Sequence, residues 1–105
     1  MGFDIFADKT VDLQFMPGDD SKPAHFIGVF EGGLGPTFRI KTLSYWEVQE
    51  ILAETTDVGK TRKGIELGLV SINDKPDWAK QFIANPRLRM VNPLFDAIWS
   101  QALGN

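Results

Sequence analysis

Few residues of this chain could do chemistry, and each stands without the partners that a reactive centre needs. Gly59-Lys60-Thr61 matches the end of a phosphate-binding loop, but the position five residues before Gly59 is Glu54 instead of glycine. A carboxylate there would repel phosphate, and the backbone amides could not converge on the anion. The one histidine, His25, has no serine or carboxylate at a suggestive spacing for general-base work. The sequence therefore predicts no enzymatic activity and no cofactor.

Metal and nucleic-acid sites also lack support. Asp19 and Asp20 could ligate calcium, but the later ligands of a loop site are missing, and the chain has no cysteine. Lys60, Arg62 and Lys63 form a small basic cluster that could contact phosphates. The net charge of −3 argues against a nucleic-acid partner, because such proteins usually carry a basic surplus. We expect neither a metal nor a nucleic acid.

The front half of the chain predicts strands. Alternation of apolar and polar residues at 11–15 and 37–43 places apolar side chains on one face of each strand. Residues 26–30 predict another strand between them, with Phe26 and Phe30 on one face and Ile27 and Val29 on the other. Gly28, inside the second run, predicts a bulge or a close backbone approach. Short Gly/Pro-containing loops join the runs, so we expect a three-stranded antiparallel meander from about Thr10 to Leu43.

The change from strand to helix is marked by a capping box. Ser44-Tyr45-Trp46-Glu47 places a hydroxyl and a carboxylate three residues apart, which can each accept a hydrogen bond from the other's backbone amide. Val48, Ile51 and Leu52 then repeat at helical spacing. The sequence predicts a helix that begins at Ser44 and ends near Thr55-Thr56.

The rest of the back half predicts helices separated by proline. Ile65, Leu69 and Ile72 suit one face of a helix from about Lys60 to Ser71, although a strand remains possible around residues 65–69. Asp77 can cap a short helix that ends before Asn85-Pro86. The last predicted helix begins at Asn92-Pro93, with Asn as the cap and Pro at the first helical position.

These elements make one α+β domain over residues 1–105, in which three to four short helices pack against the strands. The apolar run at the N-terminus is too short for a signal peptide. No apolar stretch approaches the length of a membrane span, so we expect no membrane partner.

The stretch from Phe38 to Asn105 resembles the tail assembly chaperones of long-tailed bacteriophages. The resemblance lies in four features of the sequence. They are an Arg-x-x-x-Leu strand at Arg39–Leu43 before a capped helix with Glu47 and Glu50, the middle segment Lys60–Val70, the sequence Ser71-Ile72-Asn73-Asp74, and the closing Val91–Ile98.

The resemblance implies a non-enzymatic protein of the host cytoplasm that coats the tape-measure protein while the tail tube assembles. The implied partners are tape-measure or other tail proteins, and self-association is possible. A structural virion component, such as a minor tail or head-completion protein, is the alternative. A small enzyme or regulatory domain is a third reading.

The residues that we expect at a partner surface follow from the helical pattern and not from the resemblance. Trp46, Trp78 and Trp99 each fall on a predicted helix, where tryptophan serves either a core or an interface. On the helices least securely buried, we select four side chains for partner contact. These are Trp78, Phe82, Trp99 and Leu103.

Overall fold

The computed structural model describes residues 9–29, 33 and 35–103. The segment before residue 9 and Phe30, at the end of the second predicted strand, lie outside the described residues. Four strands and four helices form the described part of the chain, which confirms the α+β class. In chain order they are β1 Thr10–Met16, β2 His25–Gly28, β3 Thr37–Lys41, α1 Tyr45–Ala53, α2 Asp57–Gly68, β4 Leu69–Ile72, α3 Pro76–Ala84 and α4 Leu88–Leu103.

The four strands form an antiparallel sheet in the order β2-β1-β3-β4. The three predicted strands are present, but they do not form a meander. A meander would have β2 between β1 and β3, whereas in this sheet β1 lies between β2 and β3. With seven residues, β1 is long enough to pair with β3 from Thr10↔Lys41 to Gln14↔Thr37 and with β2 on its other side. A central position also places the alternating apolar face of β1 in the middle of the sheet.

One face of the sheet forms the floor of the core. The register places Leu13 opposite Phe38, and Phe38 opposite Ile72, so these side chains share that face. Phe82 of α3 meets Phe38 edge-to-face with ring centroids 5.5 Å apart. The remaining helices add the buried residues Ile51, Ile65, Leu94 and Ile98 to the same cluster.

The capping box predicted at α1 is present. The Glu47 amide donates to the Ser44 hydroxyl oxygen at 3.2 Å, and the Ser44 amide donates to the Glu47 carboxylate at 2.9 Å. Lys41 Nζ also lies 2.7 Å from the second Glu47 oxygen. The helix ends at Ala53, close to the predicted end.

The predicted helix over residues 60–71 divides into two elements. Helix α2 runs from Asp57 to Gly68, and the chain then enters strand β4 at Leu69. A strand was possible around residues 65–69 because apolar residues alternate there, and the strand that forms lies a few residues later, at Leu69–Ile72. Leu69 and Ile72 are buried against β3, and this burial stabilises the extended form.

The two last helices begin earlier than predicted. Lys75 occupies the N-cap position of α3 without a side-chain cap, and Pro76 is at the first turn, so Asp77 lies inside the helix and is not its cap. Helix α4 begins at Leu88, which places Pro93 inside it instead of at its first position. An internal proline removes one backbone hydrogen bond. Packing of Met90 and Val91 against the core favours the helix despite that loss.

Two glycines let α2 approach α4 closely. A Cβ at Gly64 would lie 2.4 Å from Phe95 Cε1, and a Cβ at Gly68 would lie 2.6 Å from Ile98 Cγ2. The glycines that weaken α2 by propensity are therefore required by packing. The prediction for Gly28 was wrong, since a Cβ there has no neighbour within 4 Å, and the irregular pairing lies at Arg39/Ile40.

Candidate functional site

A groove with a volume of about 540 Å³ opens between α2, the end of α3 and the start of α4. Val58 and Ile65 lie two turns apart on α2 and therefore face the groove together. Val58 is 79% exposed, which is unusual for an apolar side chain beside other apolar side chains. The apolar lining consists of Val58, Ile65, Ile83, Ala84, Pro86 and Val91.

A second groove, with a volume of about 350 Å³, lies between α1, α2 and the middle of α4. Phe95 and Trp99, one turn apart on α4, form its apolar floor with their rings stacked at a centroid distance of 5.8 Å. Ile51 and the exposed Leu52 of α1 complete its apolar wall.

The two grooves adjoin. Asp57, Thr61 and Asn92 line both of them, so these polar side chains form a step between two apolar ends. Val91 at the first groove and Trp99 at the second are eight positions apart on α4, which is about 12 Å along a helix. We call this continuous surface the double groove.

One arginine lines the first groove together with Asp57, and two more lie between its lining residues along the chain. Arg62 lines it and pairs with Glu66 at 3.0 Å. Arg87 and Arg89 are exposed and lie between two lining residues, Pro86 and Val91. Within the described part of the chain, neither of their guanidinium groups has an ion pair or side-chain hydrogen bond.

The four residues expected at a partner surface do not lie together. Trp99 lies in the double groove. Phe82 is only 8% exposed and packs in the core, so it is not available to a partner in this conformation. Trp78, with Lys75 Nζ 4.4 Å above its ring, is 40% exposed and Leu103 is 66% exposed, but neither lines a groove.

Sequence reasoning missed Val58, Ile83 and Val91, which line the first groove. Val58 is the second residue of α2, after the Thr56 cap and Asp57, so no periodic apolar pattern precedes it. Ile83 and Val91 gave no signal either, because their exposure depends on the angle at which α3 and α4 meet.

The fragments that suggested chemistry occupy structural positions. Gly59-Lys60-Thr61 lies in the first turns of α2, and the Gly59 amide donates to the Thr56 hydroxyl at 2.9 Å as part of the helix cap. The preceding connection is helix to helix, unlike a phosphate-binding loop. His25 is exposed, with Nδ1 3.0 Å from the Pro23 carbonyl oxygen. Among the described residues, no group of three or more His, Cys, Asp or Glu could hold a metal ion.

The perturbed pKa values also have structural causes. A hydrogen bond to Asp12, with the charges of Asp12 and Asp74, raises the pKa of Arg39 on the sheet. Hydrogen bonds from Ser21 lower the pKa of Asp19 in its turn. Neither group lines the double groove, so acid–base chemistry there gains no support.

Comparison of the chain with protein-family models, with curated proteins and with solved structures gives no match. Within the described residues, no helix has both the length and the apolar character that crossing a membrane requires.

Proposed function

We propose that this protein is a non-enzymatic tail assembly chaperone of a long-tailed bacteriophage, which shields the tape-measure protein in the host cytoplasm during tail assembly. The observation that carries the proposal is the double groove, two adjoining apolar surfaces between helices with no reactive side-chain set. The sequence resemblance over residues 38–105 supports the same role.

The physical requirement is reversible shielding of apolar helical surface. Grooves between helices accept the apolar face of an amphipathic helix. The double groove is short and its centre is polar at Asp57, Thr61 and Asn92, so the apolar contact with a client is limited. Limited apolar contact suits a protein that must leave its client, because affinity depends on a few well-buried anchors.

The direct test is binding to segments of the tape-measure protein of the same phage by isothermal titration calorimetry. We expect Val58→Asp to weaken binding by about tenfold or more, because it places a charge in the first groove. Val29→Asp is the matched control, since Val29 is also exposed and lies outside both grooves. Both variants are checked for folding by circular dichroism.

Mass spectrometry of purified virions separates the chaperone from the structural virion component. We expect the protein in assembly reactions and not in finished particles. Its presence in finished particles at stoichiometric copy number would reject the chaperone role and favour a permanent tail or head component.

A further inference from the structure

We propose that the segment bound by the double groove is an amphipathic helix with two apolar anchors at positions i and i+7 and with carboxylates beside the first anchor. The inference rests on the proposed function, because it specifies the chemistry of the client at the same site. The first anchor enters the groove at Val58 and Val91, and the second contacts Trp99.

The two-anchor pattern follows from the arrangement of the lining. The apolar ends are separated by the shared polar step of Asp57, Thr61 and Asn92. Side chains at i and i+7 of a helix are about 10.5 Å apart on one face, close to the separation of about 12 Å between Val91 and Trp99 along α4. The client residues between the anchors then face the polar step and are expected to be polar.

The double groove is suited to a client segment in the form of a helix and not of a strand. The double groove is lined by residues of α1, α2, α3, α4 and the α3–α4 connection. None of the described strands contributes to it, so it offers no row of unpaired backbone groups for strand addition. An amphipathic helix satisfies its own backbone and needs only an apolar face.

The charged side chains around each groove determine which residues should flank the anchors of the client helix. Asp57 and Arg62 line the first groove. The exposed Arg87 and Arg89 lie between its lining residues Pro86 and Val91 along the chain and have no carboxylate partner among the described residues. The second groove is lined by Lys60 together with Asp57 and Asp96. Carboxylates beside the first anchor complement the unpaired arginines, and the second anchor has no such preference. Complementary rim charges favour association and fix the register of a bound helix.

The test uses alanine-based helical peptides with leucine at i and i+7, flanked at the first leucine by glutamates or by lysines. Fluorescence anisotropy measures the dissociation constant at low and at physiological salt. We expect the glutamate peptide to bind about fivefold more tightly than the lysine peptide, with a smaller ratio at higher salt. Replacing the leucine at i+7 by serine should weaken binding by about tenfold.

Charge-reversal variants identify the groups responsible. Arg87→Glu/Arg89→Glu should abolish the preference for glutamate, and acids near the start of α4 are compatible with its folding. Lys22→Glu/Lys80→Glu changes the net charge equally at exposed sites outside the grooves and should keep the preference. Amide chemical shifts at Val58, Val91 and Trp99 locate the bound peptide.

Equal binding of both peptides, an unchanged affinity without the second leucine, or chemical-shift changes confined to other surfaces would overturn the inference. So would dimerisation of the protein through the double groove that Val58→Asp abolishes. Binding of tape-measure segments is measured separately. If those segments bind while the peptides show no preference, the proposed function stands and the inference fails. If the peptides behave as expected and no tape-measure segment binds, the proposed function fails.

Discussion

The Ser44 hydroxyl provides a hydrogen-bond acceptor for a backbone amide in the first turn of α1. Its oxygen accepts from the Glu47 amide, a donor that otherwise has no partner within the helix. We expect Ser44→Ala to lower the free energy of unfolding by about 1 kcal/mol, within the range of N-cap deletions. Chemical denaturation measures the change. Ser100→Ala, on the exposed side of α4, is the control and should be close to neutral. An unchanged midpoint in Ser44→Ala would mean that the hydroxyl does not cap the helix in solution.

Glu47 links the cap to the sheet, and its ionisation makes stability depend on pH. Burial raises its pKa, but the hydrogen bonds and charge from Lys41 and the Ser44 amide outweigh burial, so the net pKa is lowered from 4.5. The unfolded chain therefore takes up the proton first as pH falls. The contribution of Glu47 is complete above about pH 4.5 and is lost as pH falls through the lower folded pKa.

We accordingly expect Glu47→Gln to be less stable than the wild type at neutral pH and to approach it in acid. Denaturant midpoints between about pH 3 and pH 7 measure the difference. Glu50→Gln, an exposed position on the same helix, provides the comparison and should follow the wild-type profile. A constant difference between Glu47→Gln and wild type at every pH would contradict the assignment.

At the scale of elements, the close approach of α2 to α4 depends on the absence of a side chain at Gly68. Ile98, against which Gly68 packs, has no exposed surface and cannot move away easily. We expect Gly68→Ala to destabilise the protein by about 1–3 kcal/mol through overpacking, although alanine favours helix. Thermal and denaturant unfolding measure the effect.

Two comparisons make this prediction specific. Gly28→Ala is the control, because a Cβ there has no neighbour within 4 Å. The double variant Gly68→Ala/Ile98→Ala removes the clashing methyl group, so its loss of stability should be smaller than the sum of the single losses. Additive losses would show that the two residues are not in contact.

The helices and strands were predicted best where the sequence pattern depends only on neighbouring residues. The Ser44 box depends on four consecutive residues and was found with its partner atoms. Strand order could not be predicted, because the alternation that puts Leu13 on one face does not say which strand it will pair with. The start of α4 was misplaced because Pro93 reads as a first-turn residue, and only tertiary packing of Met90 and Val91 reveals the extra turn.

The candidate site was harder to predict for the same reason. Trp99 and Phe82 occupy similar apolar positions on amphipathic helices, and only the packed structure separates a groove residue from a core residue. Val58 lines the groove from the first turn of α2, where no periodic pattern had yet begun.

At the scale of the molecule, the buried residues of the described part of the chain form one core that joins the sheet to the helices. Its buried members come from β1, β3, β4 and from every described helix, so we expect the described elements to unfold together. Native-state hydrogen exchange should then give similar free energies of opening for slow amides in β1 and in α4.

The same substitution at two leucines of α4 tests whether the sheet and the helices unfold together. Leu94 is 0% exposed in the core, whereas Leu88 is 90% exposed at the start of the helix. Leu94→Ala should lower stability by about 2–5 kcal/mol and reduce amide protection in β1 and β3 as much as in α4, because the cavity affects one shared core. Leu88→Ala should change stability by no more than about 0.5 kcal/mol. If Leu94→Ala weakened protection in the helices while the amides of β1 kept theirs, the sheet and the helices would be separate folding units.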